Sequence, residues 1–411
     1  MSGNVFDELK ARGFIAQASN EEAVRRMLGG TPITFYIGYD CTATSLHVGS
    51  LVPIMAMAHL RRAGHRALAV IGAGTTMVGD PSGKTEMRPM LDEATIRGFG
   101  ASIRAQLDRY LNFDGQGAIA VNNADWLLPL NYVAFLRDVG RHFSVNRMLT
   151  AEAYKLRLEK GLSFIEFNYQ LLQAYDFLHL YRTFHCTLQM GGDDQWGNIL
   201  AGVDLVRRVE GADVEAMTFP LLTTCGGAKM GKTAQGAVWL DAALCRPYDF
   251  FQYWVNCDDR DVGRFLRVYT FLPLNEIARL EALQGGEINE AKRVLAYEAT
   301  RLAHGDATAN EARAAAAAAF GVAGESNIES LPTTSVPRAR LETGIGAAEL
   351  FTEVGLTPSR GEAKRLIKQG GLSVNDERID GLERILTIKD VGPDGMLLKA
   401  GKKRIHRVVA K

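Results

Sequence analysis

Short apolar runs alternate with longer, helix-like segments through the first half of the chain. The apolar runs cover residues 33–37, 67–71, 118–121, 187–190 and 217–222. Such runs, separated by helical periodicity, are typical of strands that are buried on both faces of a parallel sheet. All but the last end in a polar or glycine-rich loop. The pattern predicts an α/β fold: a doubly wound parallel sheet, helices on both faces, and a ligand crevice at the carboxyl ends of the strands.

The second half of the chain is mainly helical in pattern and then changes again. Helical periodicity covers residues 248–320, and a stretch rich in proline, serine and threonine follows, which is typical of a linker. A helix, a Gly370-Gly371 stop and a strand at 372–374 then predict a small α+β module. We expect four segments: a Rossmann-like domain at 1–228, a helical domain at 229–320, a linker at 321–343 and the module at 344–411.

Composition and charge narrow the class of protein. The 411 residues are 47% hydrophobic, which excludes a disordered chain, and the 47 basic residues balance the 47 acidic ones. Any nucleic-acid partner must therefore be bound by a local basic patch. The five cysteines are scattered without C-x-x-C spacing, which favours reduced thiols over a zinc site. The N-terminus resembles no presequence and no segment has the length of a membrane span, so we expect a soluble cytoplasmic protein.

Basic residues are concentrated in the final module. A helix there would carry several cations along one stripe, and a second cluster lies near the end of the chain. Such a cluster is either a solvated helix face or a site for a nucleic-acid backbone, and two clusters in one small module favour RNA. The residues are Arg360, Lys364, Arg365 and Lys368 in the predicted helix, and Lys402, Lys403 and Arg404 near the end.

Two short motifs carry the chemistry. His47-Val48-Gly49-Ser50 follows a predicted strand and opens a helix over residues 51–62, and the unpaired N–H groups of a helix start attract phosphate. The second motif is Lys229-Met230-Gly231-Lys232-Thr233. Taken alone, a histidine like the first is more often a satisfied surface or core residue, and a motif like the second is more often a loop of solvated lysines. Both nevertheless suit a site that holds ATP.

A third motif, Ser82-Gly83-Lys84-Thr85, ends like the phosphate-binding loop of a P-loop ATPase. That loop requires a glycine where this chain has Val78, and Pro81 interrupts it, so the spacing does not fit.

The motifs, taken in order, resemble those of tyrosyl-tRNA synthetases of the bacterial type, which are class I aminoacyl-tRNA synthetases. The resemblance covers nearly the whole chain, including the final module. The matching blocks are residues 36–40, 42–43, 45–49, 79–84, 142–146, 189–192, 194–198 and 229–233, with Tyr169, Gln173 and Asp176.

The resemblance implies an activity and partners. Such an enzyme activates L-tyrosine with ATP, accompanied by Mg²⁺, to tyrosyl-adenylate and pyrophosphate, and transfers tyrosine to tRNA(Tyr). It also implies a homodimer joined through residues 131–146, an anticodon-side helical domain, and an RNA-binding role for the final module. No protein metal ligands are expected. Asp125, Trp126 and Trp196 are interpreted as packing residues.

The resemblance also assigns roles to individual residues. For catalysis at the phosphates it implies Thr42, His47, Lys84, Arg88, Lys229, Lys232 and Thr233. For tyrosine it implies Tyr36, Asp80, Tyr169, Gln173, Asp176 and Gln195. For ATP it implies Gly38, Asp40, His47, Gly49, Ser50, Gly192, Asp194 and Lys232.

Three positions depart from the family pattern. Ser50 stands where histidine is usual, Cys41 where proline is usual and Asp193 where serine is usual. An extra carboxylate at Asp193 would repel a polyanion unless it faces away from the site. The departures keep open a catalytically weak, synthetase-derived RNA-binding regulator. The pair Tyr36 and Asp176 argues against a tryptophan-specific relative.

Overall fold

The computed structural model describes residues 3–82, 86, 88–150, 152–233, 236–319, 331–393, 395–401 and 404–411, without the side chains of 152, 153, 156, 232, 233, 318 and 319. The chain forms two compact units. One combines Met1–Cys245 with Asp258–Ala291, and the other combines Arg246–Cys257 with Lys292–Lys411. Among the described residues, no helix has the length and apolar character needed to cross a bilayer.

The helices are α1 (Val5–Arg12), α2 (Glu21–Leu28), α3 (Leu51–Arg62), α4 (Ala73–Thr76), α5 (Glu93–Leu111), α6 (Ala124–Leu127), α7 (Tyr132–Asp138), α8 (Val145–Met148), α9 (Glu152–Leu158), α10 (Phe164–Phe184), α11 (Trp196–Glu210), α12 (Pro247–Val255), α13 (Asp259–Tyr269), α14 (Leu274–Glu281), α15 (Ile288–His304), α16 (Asp306–Ala319), α17 (Arg338–Thr343), α18 (Ala347–Glu353) and α19 (Arg360–Lys368).

The strands are β1 (Gln17–Ala18), β2 (Thr34–Asp40), β3 (Arg66–Gly72), β4 (Ala118–Asn122), β5 (Cys186–Gly192), β6 (Glu215–Phe219), β7 (Lys232–Thr233), β8 (Gly236–Ala237), β9 (Thr333–Val336), β10 (Ile345–Gly346), β11 (Leu372–Val374), β12 (Glu377–Arg378), β13 (Ile385–Leu386), β14 (Met396–Ala400) and β15 (Arg404–Ala410).

The main sheet of the first unit confirms the predicted α/β fold. Its strand order is β1-β6-β5-β2-β3-β4, and β6, β5, β2, β3 and β4 are parallel. All five predicted strands are present. The strand order reverses between β2 and β5, and ligands of doubly wound sheets bind outside the carboxyl ends of strands at such a point.

Two helices bring functional residues to that edge. The last residues of the first motif form a single 3₁₀ turn, Val48–Ser50, directly before α3. Helix α10 begins with a capping box in which Ser163 and Glu166 satisfy each other's backbone N–H groups. Its residues 169, 173 and 176 are spaced by four and three, so they lie on one face.

The second unit ends in a small α+β module. Its sheet has the order β12-β11-β14-β15-β9, antiparallel except for the parallel pair β15 and β9. Helices α17, α18 and α19 contribute Leu341, Phe351 and Ile367 to the core of the module.

The structure differs from the predicted linker at residues 333–343. Strand β9 pairs with the last strand, and α17 buries Leu341 completely. Serine, threonine and proline gave these residues the composition of a linker, but β9 is a short edge strand whose hydrogen bonds are made with a partner more than 70 residues away. The part of the linker at 321–330 lies outside the described residues, and the remaining boundaries stay predictions.

Candidate active site

A cavity of about 420 Å³ lies in the first unit at the carboxyl ends of β2, β3 and β5. Most of the residues predicted for tyrosine, ATP and catalysis share its wall. Those lining it are Tyr36, Gly38, Asp40, Thr42, His47, Ser50, Asp80, Arg88, Tyr169, Gln173, Asp176, Gly192, Asp194 and Gln195. Residues distant in sequence thus converge where the strand order predicted a crevice.

One part of the cavity presents Tyr36 and Asp176. Tyr36 is 2% exposed, and no hydrogen-bond partner for its hydroxyl lies among the described residues. Burial, followed by the Asp176 carboxylate, raises the pKa of Tyr36 well above its usual value. A buried hydroxyl without a partner costs free energy, so this arrangement favours a ligand with a polar group at this place.

Two donors that sequence reasoning did not assign hold the Asp176 carboxylate. Asn123 Nδ2 donates to Oδ2 at 3.0 Å and Trp126 Nε1 donates to Oδ1 at 2.8 Å. The interpretation of Trp126 as a packing residue without a chemical role is therefore wrong. Burial raises the pKa of Asp176 to about 7, while these two donors lower it. The sequence signal that could have found them is the polar loop that follows the third apolar run, residues 118–121.

Replacement of Trp126 by phenylalanine should shift the pH dependence of tyrosine use. The indole donor lowers the pKa of Asp176, so its loss raises that pKa further. The ionised carboxylate then forms only at higher pH, and the acid limb of kcat/KM for tyrosine should move upward. Since a hydrogen bond to a charged group is lost, we expect about a tenfold decrease near pH 7. Trp196→Phe, at a tryptophan that does not line the cavity, is the matched control; equal effects of both changes would contradict the assignment.

A second polar cluster surrounds Asp80. Gln195 Nε2 donates to Asp80 Oδ2 at 2.8 Å, and the Ser82 backbone N–H donates to Oδ1 at 2.9 Å. Arg88 Nε donates to the Asp80 carbonyl oxygen at 3.1 Å. Asn198, which sequence reasoning left without a role, donates to Gln195 Oε1 at 3.2 Å and fixes the amide.

Two further carboxylates, Asp40 and Asp194, lie on the wall near Asp80. Tyr169 donates its hydroxyl proton to Asp40 Oδ2 at 3.1 Å. Burial first, and then the charge of Asp80, raise the pKa of Asp40 to about 6. The same two causes raise the pKa of Asp194. This concentration of acidic groups suits a cationic ligand group, such as an ammonium ion.

The two motifs meet through their glycines. An added Cβ at Gly49 would lie 2.8 Å from the Met230 carbonyl oxygen, and one at Gly231 would lie 2.9 Å from the Gly49 nitrogen. Gly231 also has φ +75°, a conformation that side chains disfavour. The backbone N–H of Val48 donates to Val238 O at 2.9 Å, and the Val238 N–H donates to Gly231 O at 2.8 Å, so Val238 connects the histidine motif to the lysine motif.

The imidazole of His47 closes the turn at the start of α3. Its Nδ1 accepts from the Gly49 N–H at 2.9 Å, which places the ring proton on Nε2 in the neutral form. Trp239, which sequence reasoning missed, lines the cavity and meets the imidazole edge to face at 6.2 Å between ring centroids. An apolar run just after the lysine motif was the available signal. Ser50 caps α3 without a side-chain hydrogen bond.

Several predicted residues are not gathered in the cavity wall. Gly49 and Lys229 do not line the cavity, and Lys229 is exposed. Lys84 lies outside the described residues, and for Lys232 and Thr233 the structure describes only the backbone of β7.

The departures Asp193 and Cys41 both lie away from the cavity. Asp193 Oδ1 accepts from Gln17 Nε2 at 2.6 Å and from Thr218 Oγ1 at 2.7 Å, and Asp193 does not line the wall. Its charge is therefore held on the other side of the strand end. Cys41 is buried, and burial raises the pKa of its thiol to about 12.

The predicted RNA-binding cations lie on exposed positions of α19 and β15. Lys364 and Lys368 are exposed, while Arg360 pairs with Glu349 at 3.1 Å and Arg365 with Glu362 at 2.8 Å. Arg404 is exposed at the start of β15. Lys402 and Lys403 lie outside the described residues.

Two known protein families match parts of this chain. Residues 29–321 match the family described as tRNA synthetases class I (W and Y). Residues 327–408 match the C-terminal domain of tyrosine–tRNA ligases.

Similar sequences and solved structures point to the same family. The chain is 52% identical to the tyrosine–tRNA ligase of Desulfatibacillum aliphaticivorans, over 100% of this chain and 99% of that one. It is 53% identical to the tyrosine–tRNA ligase of Clostridium beijerinckii, over 99% and 100%. A C-terminally truncated mitochondrial tyrosyl-tRNA synthetase from Aspergillus nidulans has a similar structure, with TM-score 0.69, 29% identity, and coverage of 76% of this chain and 93% of that one.

Proposed function

This chain belongs to the tyrosine–tRNA ligase family of class I tRNA synthetases, and we propose that the cavity at the sheet edge is where it activates L-tyrosine. The tyrosine carboxylate attacks the α-phosphorus of ATP, and the bond to pyrophosphate breaks. A terminal ribose hydroxyl of tRNA(Tyr) then takes the acyl group and AMP leaves. Since neither step needs a covalent bond to the protein, catalysis depends on positioning and on stabilising phosphate charge.

The arrangement of Tyr36 and Asp176, which suits a phenol, is the observation that carries the proposal. Tyr36 offers a buried hydroxyl without a described partner, and Asp176 offers a carboxylate whose orientation is fixed by two donors. A phenolic OH would donate to Asp176 and accept from Tyr36. Phenylalanine would leave the Tyr36 hydroxyl unpaired and would donate no proton to Asp176, which is how tyrosyl synthetases reject phenylalanine.

The other end of the amino acid would face the acidic cluster. Asp80, Tyr169 and Gln173 line the cavity and would receive the ammonium group. Gln195 holds Asp80 in place through its 2.8 Å hydrogen bond. Carboxylates buried close to one another are stabilised by a nearby cation, so this cluster favours binding of an ammonium ion.

The nucleoside would lie above the strand ends. An added Cβ at Gly38 would meet no atom within 4 Å, so the space over β2 is open. Asp40 and Asp194 would accept from the ribose hydroxyls. Gly192 lies at the end of β5, and Gly49 and Ser50 would present the start of α3 to the phosphates.

The phosphates require cations that the described wall does not supply. The wall carries the carboxylates of Asp40, Asp80, Asp176 and Asp194 but only the guanidinium of Arg88 as a fixed cation. Like charges would repel a triphosphate. Thr42, His47 and Arg88 would therefore be joined on the pyrophosphate by the cations of Lys84, Lys229 and Lys232 and by the hydroxyl of Thr233.

Mg²⁺ would accompany ATP and add positive charge at the phosphates. Within the described part of the chain, no three histidine, cysteine or acidic residues are grouped to hold a metal ion. The ion would therefore take most of its ligands from the nucleotide and water, as Mg²⁺ commonly does.

ATP–pyrophosphate exchange tests the activity directly. We expect rapid exchange with tyrosine, and only very slow exchange with phenylalanine or tryptophan at equal concentration. Exchange with tryptophan instead would indicate a tryptophan-specific enzyme. Absence of exchange together with tRNA binding would support the alternative, a synthetase-derived RNA-binding regulator.

Removal of everything after Ala319 should separate activation from transfer. The residues proposed for activation precede Ala234, so exchange should persist. A cut after Ala319 also removes β9, which pairs with the last strand. Charging of tRNA should fall by about 100-fold, since the basic clusters are lost.

In the full chain, Lys364→Ala with Lys368→Ala should raise KM for tRNA and reduce its salt dependence, whereas Lys389→Ala should not. Unimpaired charging by the truncated chain would contradict an RNA-binding role.

A homodimer is a further proposal. Exposed apolar side chains are concentrated near α7 and α8, where a second copy would cover them: Leu128, Tyr132, Val133, Leu136 and Val145 are 39–72% exposed. Such a patch marks an interaction surface. Sedimentation should give a dimer that Val133→Asp converts to monomers; a native monomer at micromolar concentration would contradict the proposal.

The five free cysteines support a cytoplasmic location, because a reducing compartment keeps thiols free.

A further inference from the structure

A single buried hydroxyl lies between the two carboxylates that we assign to different substrates. Thr75 is 3% exposed, lines the cavity, and belongs to the short helix α4 directly after β3. Its Oγ1 donates to Asp40 Oδ1 at 2.8 Å and accepts from Asn123 Nδ2 at 3.0 Å. The same Asn123 nitrogen donates to Asp176 Oδ2 at 3.0 Å. Three hydrogen bonds thus join Asp40 to Asp176.

The orientation of the asparagine is fixed. Asn123 Oδ1 accepts from the Gly74 backbone N–H at 2.8 Å, so the amide nitrogen must face the two oxygens of Thr75 and Asp176. One amide proton is donated to Thr75 Oγ1 and the other to Asp176 Oδ2. A displacement of the Asp176 carboxylate is therefore transmitted to the Thr75 oxygen rather than absorbed by an amide flip.

The threonine proton has two acceptors within reach. Besides Asp40 Oδ1, the Gly72 carbonyl oxygen lies 3.2 Å from Thr75 Oγ1. One hydroxyl proton cannot serve both fully, and the shorter bond to an ionised carboxylate is the stronger. When Asp40 is protonated, the proton can turn to Gly72. An added Cβ at Gly72 would lie 2.5 Å from Asp40 Oδ1, so the close approach depends on glycine.

Resting on the proposed function, we propose that Thr75 is a positioning residue that couples the nucleoside carboxylate, Asp40, to the phenol carboxylate, Asp176. The hydroxyl orients Asp40 towards the ribose and favours its ionised form. When tyrosine donates its phenolic OH to Asp176, the carboxylate shifts, and the shift is transmitted through Asn123 to the hydrogen bond between Thr75 and Asp40. Occupation of the tyrosine site then improves nucleotide binding, and by thermodynamic reciprocity the nucleotide improves tyrosine binding by the same factor.

Other groups facing Asp40 set the direction of the pH effect. These are the carboxylates of Asp80 and Asp176, the guanidinium of Arg88, the phenol of Tyr169 and the neighbouring thiol of Cys41. The Thr75 hydroxyl lowers the pKa of Asp40, opposing burial and Asp80. Loss of the hydroxyl therefore raises that pKa, and activity that needs ionised Asp40 should require a higher pH.

Thr75→Val, which keeps the shape and removes the hydroxyl, is the test, and Thr75→Ser restores the hydroxyl. We expect the valine variant to raise KM for ATP about tenfold, since a hydrogen bond to a charged group is lost. Its acid limb for ATP use should move to higher pH. Tyrosine affinity in the absence of nucleotide, measured by equilibrium dialysis, should change by less than about twofold. The serine variant should recover most of both effects.

The coupling itself is measured with a non-hydrolysable ATP analogue. In the native chain the analogue should strengthen tyrosine binding, and in Thr75→Val that factor should fall towards one. Thr76→Val is the matched control, because Thr76 is also buried and its Oγ1 donates to Gly72 O and accepts from the Cys41 N–H but contacts neither carboxylate. It should leave the coupling factor and the acid limb unchanged. Thermal unfolding of every variant excludes misfolding as the cause.

Three results would overturn the inference: a native coupling factor of one, an unchanged factor and pH profile in Thr75→Val, or equal damage by serine and valine. The last would show that packing of the methyl group, and not the hydroxyl, matters. If instead the native chain shows no tyrosine-dependent exchange, the proposed function fails, whereas an active native chain with an indifferent Thr75→Val variant contradicts only the coupling.

Discussion

Replacement of His47 by alanine should slow tyrosyl-adenylate formation by about 100-fold and change tyrosine affinity by less than about twofold. The histidine lines the cavity at the start of α3, where charge develops on the leaving pyrophosphate. A donor placed there acts mainly in the transition state. Rapid-quench measurement of adenylate formation, with tyrosine affinity from the same titration, separates the two quantities.

The turn at the start of α3 gives this experiment a matched control. Nδ1 of His47 accepts from the Gly49 N–H, a bond that an asparagine oxygen can also accept. His47→Asn should therefore keep the turn but lack the Nε2 donor. We expect it to be as slow as the alanine variant while unfolding at a higher temperature. If asparagine restores the rate, the histidine acts by holding the turn and not by contacting phosphate.

Replacement of Asp176 by asparagine should reduce kcat/KM for tyrosine by about 100-fold and leave the weak use of phenylalanine within about threefold. The carboxylate is the proposed acceptor for the phenolic OH, and hydrogen bonds to charged groups contribute about 1.5–3 kcal/mol. Phenylalanine has no OH to lose. Exchange kinetics with both amino acids measure the ratio, and equal losses would indicate a purely structural carboxylate.

The pH profile gives an independent check of Asp176. Burial raises its pKa to about 7, so in the native chain kcat/KM for tyrosine should rise as pH increases through about 7 and the carboxylate ionises. In Asp176→Asn that limb should disappear. Asp193→Asn is the matched control, because Asp193 is bonded to Gln17 and Thr218 and does not line the cavity. It should keep both the limb and the discrimination.

Comparison of sequence and structure shows why the sheet and its motifs were predictable. A buried strand needs a run of apolar residues, and a helix needs its own periodicity and caps; both are local requirements that the sequence displays directly. The strands at 34–40 and 66–72 therefore lie where the apolar runs placed them. The order of the motifs was also visible, and it identified the family before any contact was known.

The roles of single residues were less accessible, because they depend on contacts between distant segments. Trp126 had the composition of a packing residue, yet it meets Asp176, 50 residues later, because α6 follows the edge strand β4 and α10 crosses the same sheet. Thr75 gave no signal at all. Its hydroxyl is relevant only because the fold brings it between Asp40 at the end of β2 and Asn123 after β4, which in turn contacts Asp176 in α10.

The sequence by itself determined the elements, the motifs and the family, since each is specified by residues close together in the chain. Only the tertiary structure decided which side chains face one another. In the folded chain Asp193 bonds to Thr218 and does not line the cavity, and Gly231 packs closely against Gly49. Residues 333–336, which the sequence predicted as linker, form a strand in the sheet of the final module. Those outcomes depend on strand order and on space between backbones, which no local pattern records.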